Sequence, residues 1–314
     1  MSSSLPPTIS EMSSKDIERY IRYERSASNQ GAWLETRSFY SVSSEESKSY
    51  EAGVDYRPFL EIIKRLTPED IIFDSGCGTG TAGEDYVKTC PKGAVFYAVG
   101  ITPPRNPEDD IEWLKRDHLE HLHIFLHDML EFPTDSLHGR VSVVIDIHGA
   151  FRYSGQPSKI LAKLAEMLKV GGMLFLTFGN NNTVDVSPYE DKITILARKK
   201  LMDQGSNALL FLYLTSIQGL KTIVPQKLTS DEALKRLGLS KNSFFNRDLL
   251  INNPFKRQTI SWGFVRTEEP IALDPLYIDK EKPQTFNGIE IQKYCWEVSN
   301  RNKKLLEKVD RIEI

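Results

Sequence analysis

The sequence is poor in cysteine and has no long apolar run, and each shortage excludes a class of protein. Only three cysteines, Cys77, Cys90 and Cys295, occur among 314 residues, and their spacing fits neither a disulfide framework nor a zinc site. No stretch approaches the roughly 18–20 apolar residues of a membrane-spanning helix. The first residues also lack the basic and apolar regions of a secretory signal peptide. We therefore expect a cytoplasmic, reducing environment, with signal-independent export left open.

Neither sign of charge dominates. The 40 Lys and Arg residues against 43 Asp and Glu give a net charge of −3, whereas dedicated nucleic-acid binders carry a basic surplus. The content of hydrophobic (40%) and charged (26%) residues is typical of a globular protein. A chain of this length buries about three quarters of its unfolded surface, so a full core can form without disulfides or metals.

Short apolar strands alternate with helical patterns from residue 57 onward. Strands are predicted at 71–73, 94–100, 123–127, 141–147 and 173–178, and helices at 58–66, 81–90, 107–122, 158–168 and 187–201. Two further apolar runs, 208–217 and 220–224, predict a closing antiparallel hairpin. This alternation predicts an α/β fold with a doubly wound, mostly parallel sheet. Ligands of such sheets bind at the carboxyl ends of the strands, where the strand order reverses.

The flanks of this region differ from it in composition. Residues 1–14 are rich in Ser and Pro, which predicts a disordered tail. Residues 15–54 are charged and aromatic and are interpreted as an N-terminal extension or lid. The regular core is predicted to span 55–225. Residues 226–314 form a C-terminal extension with several prolines, a possible strand at 259–265 and a final helix over about 289–310.

The most specific motif is the segment IIFDSGCGTGTAG at 71–83. Asp74 ends a strand, and Gly76, Gly78 and Gly80 follow it at alternate positions, where glycine lets the backbone approach a ligand closely. The spacing of Gly78, Gly80 and Gly83 also matches the dinucleotide fingerprint. That interpretation requires an acid about 20 residues further on. The sequence there reads AVGITPP and contains no Asp or Glu. The dinucleotide interpretation also gives Asp74 no role, whereas a ligand that combines a nucleoside with an amino acid offers an α-ammonium group to a carboxylate.

The motif DSGCGTG resembles motif I of the class I S-adenosylmethionine-dependent methyltransferases. The segments LTPEDIIFD, HDMLEFP and LKVGGMLFLTF are similar to the same family in the same order, and the resemblance covers about residues 55–225. It implies a seven-stranded Rossmann-like sheet and binding of S-adenosyl-L-methionine, with S-adenosyl-L-homocysteine as the product. It also implies that Asp74, Gly76, Gly78 and Gly80 hold the methionine part, with Cys77 packed beside them.

The resemblance implies further cofactor contacts at the ends of strands two and three. Many members carry an acid for the ribose hydroxyls where this chain has Gly100. We therefore expect the neighbouring Ile101 and Thr102 to contact the ribose. Asp128 matches the acid that accepts from the adenine amino group, with Met129 beside the ring, although Asp128 could instead cap a turn.

The end of strand four is where the family exposes groups to the reactive methyl. His148 is a candidate general base, because its ordinary pKa suits proton removal at neutral pH, and a satisfied loop histidine is the alternative. Asp146 could orient His148 or contact the cofactor. Substrate contacts are expected from Arg152 and Tyr153 and, through a lid, from Tyr20, Trp33 and Tyr40. The histidines between 118 and 127 need not converge, so no metal site is predicted.

Transfer of a methyl group to a small-molecule acceptor is the leading functional hypothesis. A protein methyltransferase and a non-catalytic S-adenosylmethionine-binding or interaction module are the alternatives, the latter favoured by Gly100 in place of an acid. The near-neutral charge argues against a nucleic-acid acceptor. The sequence does not indicate an oligomeric state.

Overall fold

A computed structural model of the chain describes residues 4–17, 19, 58–77, 80–100, 119–147, 149–179, 182–186, 208–224, 259–278, 284–286 and 289–304. The chain divides into two compact units, Met1–Phe178 and Gly179–Ile314. The helices are α1 (Pro58–Lys64), α2 (Thr81–Thr89), α3 (Ala150–Tyr153), α4 (Pro157–Met167) and α5 (Ala208–Thr215). The strands are β1 (Ile71–Asp74), β2 (Val95–Gly100), β3 (Leu122–Leu126), β4 (Val141–Ile147), β5 (Leu168–Gly179), β6 (Asn182–Val186), β7 (Leu220–Val224), β8 (Thr259–Arg266), β9 (Leu276–Ile278), β10 (Gln284–Phe286) and β11 (Ile289–Trp296).

A seven-stranded sheet has the hydrogen-bonded order β3-β2-β1-β4-β5-β8-β7. Strands β3, β2, β1, β4 and β5 run parallel to one another, and β7 pairs antiparallel with β8 at the far edge. The predicted α/β fold class, a doubly wound and mostly parallel seven-stranded sheet, is confirmed, and its antiparallel edge pair is not the hairpin predicted from 208–217 and 220–224. The strand order reverses between β1 and β4, so this is the point at which such sheets bind ligands.

The central strands of the first unit are buried on both faces and are mostly apolar. All four residues of β1 and all seven of β4 are buried, as expected for parallel strands covered by helices on both sides. Phe59 of α1 packs edge-to-face on Phe175 of β5, with ring centroids 4.8 Å apart. On α4, Ile160, Leu161 and Leu164 are fully buried, which is the face that the helical periodicity predicts.

The N-terminal segment contributes to this unit. Ile9 is 2% exposed, and its backbone N–H donates to the carbonyl of Ile124 at 2.8 Å. Ile124 lies on β3, the edge strand, so the segment satisfies part of an edge that would otherwise offer unpaired backbone groups. This differs from the disordered tail expected for 1–14, because composition alone does not indicate that Ile9 finds an apolar site.

The second unit departs from the predicted closing hairpin. Residues 208–215 form helix α5 rather than a strand, and β7 pairs instead with β8. A short apolar run fits a buried strand and a buried helix equally well, and here the helical spacing of Leu210, Tyr213 and Leu214 buries all three. Strand β8 lies in the segment interpreted as a C-terminal extension.

The second unit also holds a small sheet in which β11 pairs with β6, β9 and β10. The helix expected over about 289–310 is wrong for residues 289–296, which form β11, and is confirmed for residues 300–304, which are helical. Asp274, 4% exposed, fixes the end of this strand, because its Oδ2 accepts from Trp296 Nε1 at 2.9 Å and from Asn302 Nδ2 at 2.8 Å. Buried carboxylates of this kind are stable when donors surround them.

A second carboxylate joins three elements at the amino-terminal edge of the parallel sheet. Asp70 Oδ1 accepts from Ser142 Oγ at 2.6 Å and from Lys169 Nζ at 2.7 Å, and its Oδ2 accepts from the backbone N–H of Thr67 at 3.0 Å. Burial alone would raise the pKa of this carboxyl. The hydrogen bonds from Lys169, Ser142 and Thr67 outweigh that effect and hold the pKa well below its ordinary value.

Because the pKa of Asp70 is lower in the folded than in the unfolded chain, its contribution to stability is complete above about pH 4 and is lost as the pH falls below that. We expect Asp70→Asn to lower the free energy of unfolding at neutral pH and to flatten its decline between about pH 4 and pH 2. Urea unfolding over this range measures both effects. A variant that kept the slope of the native protein would contradict the assignment.

Candidate functional site

The loops after β1 and β4 meet at the carboxyl edge of the sheet. Asp74, the last residue of β1, is in register with Ala98 on β2 and with Ile145 on β4. The residue after Ile145 is Asp146, so two carboxylates lie on neighbouring strands at the point where the strand order reverses. Both are buried, with 5% of Asp74 and 1% of Asp146 exposed.

The glycine loop, residues 74–80, connects β1 to α2 and is described at residues 74–77 and at Gly80. Asp74 Oδ1 accepts from the backbone N–H of Gly76 at 3.0 Å. The N–H of Cys77 donates to the carbonyl of Val99 at 3.1 Å, which fastens the loop to β2. Gly80 precedes α2 with φ of 75°, a left-handed conformation that glycine adopts without strain. The N–H of Gly80 donates to the carbonyl of Cys77 at 2.8 Å, so the described ends of the loop are also joined to each other.

Gly76 has a packing role that the motif does not indicate. A Cβ atom at this position would lie 2.3 Å from the Cα of Gly149, far inside van der Waals contact. The backbones of the two loops therefore touch, which a side chain at position 76 would prevent. The prediction that Gly76 makes room for a ligand stays untested, and the neighbouring loop already uses the space beside it.

Asp146 holds the loop after β4 together. Its Oδ2 accepts from Ser75 Oγ at 2.5 Å and from the backbone N–H of Phe151 at 3.0 Å, and its Oδ1 accepts from the N–H of Gly149 at 3.2 Å. One carboxylate thus binds donors from both loops. This geometry is typical of a positioning residue.

Asp128 begins the turn after β3. It is 7% exposed, and its Oδ1 accepts from the N–H of Leu130 at 2.8 Å. Met129, beside it, is 1% exposed. Asp128 therefore does cap a turn, as the alternative interpretation held, and its role toward an adenine ring stays a prediction.

Lys163 of α4 fastens this turn to the rest of the unit. Its ammonium group donates to the carbonyls of Met129 at 3.3 Å and Phe132 at 3.0 Å, and also to that of Leu130. Burial lowers the pKa of Lys163, and the carboxylates of Asp128, Asp135 and Glu131 oppose part of that shift. The ammonium group is thus the common donor for three carbonyls of the turn.

We expect Lys163→Met to lower the free energy of unfolding by about 1–3 kcal/mol, because carbonyls that accept from a charged donor lose their partner. Urea denaturation measures this loss. Lys159→Met is the matched control, since Lys159 lies about one turn earlier on α4 and is exposed. Equal effects of the two substitutions would show that the contacts of Lys163 contribute nothing.

The other predicted site residues include Gly100, Arg152 and Tyr153. Gly100 ends β2, and its carbonyl accepts from the N–H of His127 at 2.9 Å, so the backbone there joins β2 to β3. Arg152 and Tyr153 lie in α3, at the carboxyl edge, but their side chains are outside the described part. The remaining predicted residues lie outside the described residues: Gly78, Ile101, Thr102, His148, Tyr20, Trp33 and Tyr40.

Two residues that organise the site were missed by the sequence analysis. Ser75 follows Asp74 directly, and a hydroxyl inside a glycine loop is a weak signal of a side-chain contact. Lys163 is a basic residue on an amphipathic helix, where a solvated position is the ordinary interpretation. Neither contact has a local sequence signature, because the partners are 71 and about 30 residues away.

The described residues hold neither a metal cluster nor a disulfide. No group of three or more His, Cys, Asp or Glu side chains there could hold a metal ion. All three cysteines are described, and none forms a disulfide. None of the described helices has both the length and the apolar character needed to cross a membrane.

Comparison with known proteins gives only distant structural likenesses. No protein-family model matches the chain, and no curated protein does. The chain is 14% identical to the 1,6-didemethyltoxoflavin-N1-methyltransferase of Burkholderia thailandensis, with 57% of this chain and 68% of that one covered and a TM-score of 0.35. It is 12% identical to the 16S rRNA adenine-N1 methyltransferase of Catenulisporales acidiphilia, with 68% of this chain and 94% of that one covered and a TM-score of 0.37. It is 11% identical to the [4+2]-cyclase SpnF, with 84% of this chain and 99% of that one covered and a TM-score of 0.36. Likenesses this weak carry no information about the activity or the acceptor of this chain.

The fold is identified from the strand order and strand directions of this chain. A parallel sheet in the order β3-β2-β1-β4-β5 is extended by an antiparallel pair, and a glycine loop follows the central strand at the reversal of strand order. The chain has a Rossmann-like, doubly wound fold, which is the fold that its resemblance to the class I S-adenosylmethionine-dependent methyltransferases implies.

Proposed function

We propose that the protein is an S-adenosylmethionine-dependent methyltransferase that transfers a methyl group to a small-molecule acceptor. The observation that carries the proposal is the buried carboxylate of Asp74 at the end of β1, which accepts from the N–H of Gly76 in the glycine loop that follows. It lies where strand order reverses, the ordinary ligand position in such sheets. A Rossmann-like sheet alone would not support the proposal, because folds host many functions.

The chemistry of the described residues fits the proposed cofactor. S-adenosylmethionine presents donor groups at its two ends, an α-ammonium and an adenine amino group. The site offers acceptors in Asp74 and Asp128, both buried at the carboxyl ends of parallel strands of the same unit. A buried carboxylate favours a cationic or N–H donor, since charge-assisted hydrogen bonds are the stronger ones. We therefore assign Asp74 to the α-ammonium and Asp128 to the adenine amino group.

The residues of the chain have three tasks in the proposed reaction. When bound, S-adenosylmethionine supplies an electrophilic methyl group on a sulfonium. Asp74 and the glycine loop orient the amino-acid end, and the turn from Asp128, held by Lys163, orients the adenine end. Alignment of this kind contributes most to an in-line displacement. Where the acceptor must lose a proton, His148 is the proposed base.

The net charge bears on the class of acceptor. The net charge of −3 disfavours a polyanionic acceptor such as RNA, which leaves a small molecule or a protein. A second candidate function is a non-catalytic S-adenosylmethionine-binding module. It is favoured by Gly100, which ends β2 without a carboxylate. The two candidates differ in whether a methyl group is transferred.

Radiolabelled methyl transfer separates these functions. The protein is incubated with methyl-labelled S-adenosylmethionine and a cell lysate, which is then divided into small-molecule, protein and RNA fractions. Label in the small-molecule fraction, absent with Asp74→Asn, is the expected result. Label in protein or RNA would overturn the acceptor class. Cofactor binding without transfer to any fraction would favour the binding module.

A further inference from the structure

Two serine–aspartate hydrogen bonds join the β1 region to β4 at opposite ends of these strands. At the amino end, the donor is Ser142 of β4 and the acceptor is Asp70, the residue before β1. Ser142 Oγ lies 2.6 Å from Asp70 Oδ1. At the carboxyl end, Ser75 Oγ, which follows β1, donates to Asp146 Oδ2 of β4 at 2.5 Å. Only the second bond lies at the edge where the glycine loop begins. The first bond therefore provides an internal comparison for the second.

The bond between Ser75 and Asp146 belongs to a buried network that spans both loops. Ser75 is 3% exposed and Asp146 1% exposed. The N–H of Ser75 also donates to the carbonyl of Ile145 at 3.0 Å. In addition to the Ser75 hydroxyl, the Asp146 carboxylate accepts from the N–H groups of Gly149 and Phe151. Hydrogen bonds in a dry interior are strong and polarise one another, so the two loops share one set of contacts.

The contact between Gly76 and Gly149 reinforces this connection. With a Cβ at Gly76 only 2.3 Å from the neighbouring Cα, the backbones of the two loops have no space between them. Packed contacts of this kind do not deform continuously. A shift of the glycine loop therefore changes the contacts of Gly149, and the Asp146 carboxylate connects Gly149 to the start of α3.

We propose that Ser75 and Asp146 are positioning residues that couple the glycine loop to residues 149–153, so that a ligand on the loop also orders the start of α3. The proposal rests on the proposed function only for the identity of the ligand. Asp146 is thereby a residue that acts through the backbone and not a group that touches substrate. A carboxylate has about four acceptor sites, and three protein donors already occupy this one.

Hydrogen–deuterium exchange tests the coupling directly. Ser75 bonds Asp146 and not the amides of Gly149 and Phe151, so a purely local role would leave those amides unchanged. In Ser75→Ala we expect both to exchange about tenfold faster or more, the effect of losing a hydrogen bond to a charged group. In the native protein, S-adenosylhomocysteine should slow exchange in the glycine loop and at both amides. In Ser75→Ala it should slow exchange in the glycine loop alone.

Ser142→Ala is the matched control, because it removes the corresponding bond at the other end of β4. It should lower global stability while the exchange of Gly149 and Phe151 and its response to S-adenosylhomocysteine stay as in the native protein. Ser75→Thr retains the hydroxyl and should restore the native pattern. Unchanged exchange in Ser75→Ala, or the same effect from Ser142→Ala, would overturn the proposal.

Two further measurements keep the test decisive. If Ser75→Ala does not fold, Asp146→Asn takes its place, since it keeps an oxygen for Gly149 and removes the charge that faces Ser75 and Phe151. It should speed exchange at Phe151 and abolish the ligand effect there, and native exchange would overturn the coupling. If the native protein binds no S-adenosylhomocysteine, the proposed function fails, while exchange in the protein without ligand still decides whether the loops are coupled.

Discussion

Asp74→Asn is expected to weaken the binding of S-adenosylhomocysteine by about 100-fold or more, because a buried carboxylate that accepts from an ammonium group loses its charge. The substitution is isosteric, and the amide oxygen can still accept from Gly76, which the carboxylate bonds at 3.0 Å. The loop should therefore keep its conformation. Isothermal titration calorimetry measures the affinity, and thermal unfolding verifies that the variant is folded.

Asp85→Asn is the matched control for this experiment. Asp85 lies on α2, which follows the glycine loop, and its side chain is exposed, so the substitution removes a charge near the site without touching the loop. Its affinity should remain close to that of the native protein. Equal affinities of Asp74→Asn and the native protein would remove the basis for assigning the α-ammonium to Asp74.

Gly76→Ala is expected to have the largest effect on stability, a loss of at least about 3 kcal/mol in the free energy of unfolding. The added Cβ would lie 2.3 Å from the backbone of Gly149, and a backbone atom cannot move aside as the end of a side chain can. Relief requires the two loops to separate, which would also disturb the bonds of Asp146. Chemical denaturation and far-UV circular dichroism measure the outcome.

Gly139→Ala separates the effect of this contact from the general effect of replacing a glycine. Gly139 has a φ of 66°, but no heavy atom lies within 4 Å of the position its Cβ would take. Only the left-handed backbone should then contribute, at about 1 kcal/mol. If Gly76→Ala were no worse than Gly139→Ala, the close approach of the two loops would be contradicted.

The parallel part of the sheet could be predicted because its signals are local. Apolar runs such as IIF and VSVVIDI, each bounded by turns, predict the buried strands, and β1 and β4 begin and end within one residue of the expected bounds. The right-handed crossover rule then supplies the architecture. The glycine loop was found for a similar reason, since its residues are consecutive.

Helix α5 was misjudged because its sequence carries no periodicity. The run ALLFLYLT is apolar on every side, so neither the two-residue nor the helical repeat distinguishes the alternatives. Its conformation is decided by contacts elsewhere in the second unit. Tyr213 packs edge-to-face on Trp296, with centroids 5.5 Å apart, and its hydroxyl donates to the carbonyl of Asp274 at 2.9 Å. These partners are more than 60 residues away along the chain.

The arrangement of the candidate site could be predicted only in part for the same reason. Asp74 was recognised from its position at the end of an apolar run, and Asp128 and Asp146 from the resemblance to the methyltransferase family. Which partners they bond depends on the register of neighbouring strands, which brings Asp74 beside Ile145 and Ser75 beside Asp146. No sequence pattern specifies that register across some 70 residues.

Titration of the native protein with S-adenosylhomocysteine and, separately, with NAD⁺ tests the central claim most directly. The two ligands correspond to the two interpretations of the glycine loop, and the absence of an acid at the end of β2 argues against the dinucleotide. Calorimetry should give saturable, one-to-one binding of S-adenosylhomocysteine and no binding of NAD⁺. Saturable binding of NAD⁺ with no heat from S-adenosylhomocysteine would contradict the account.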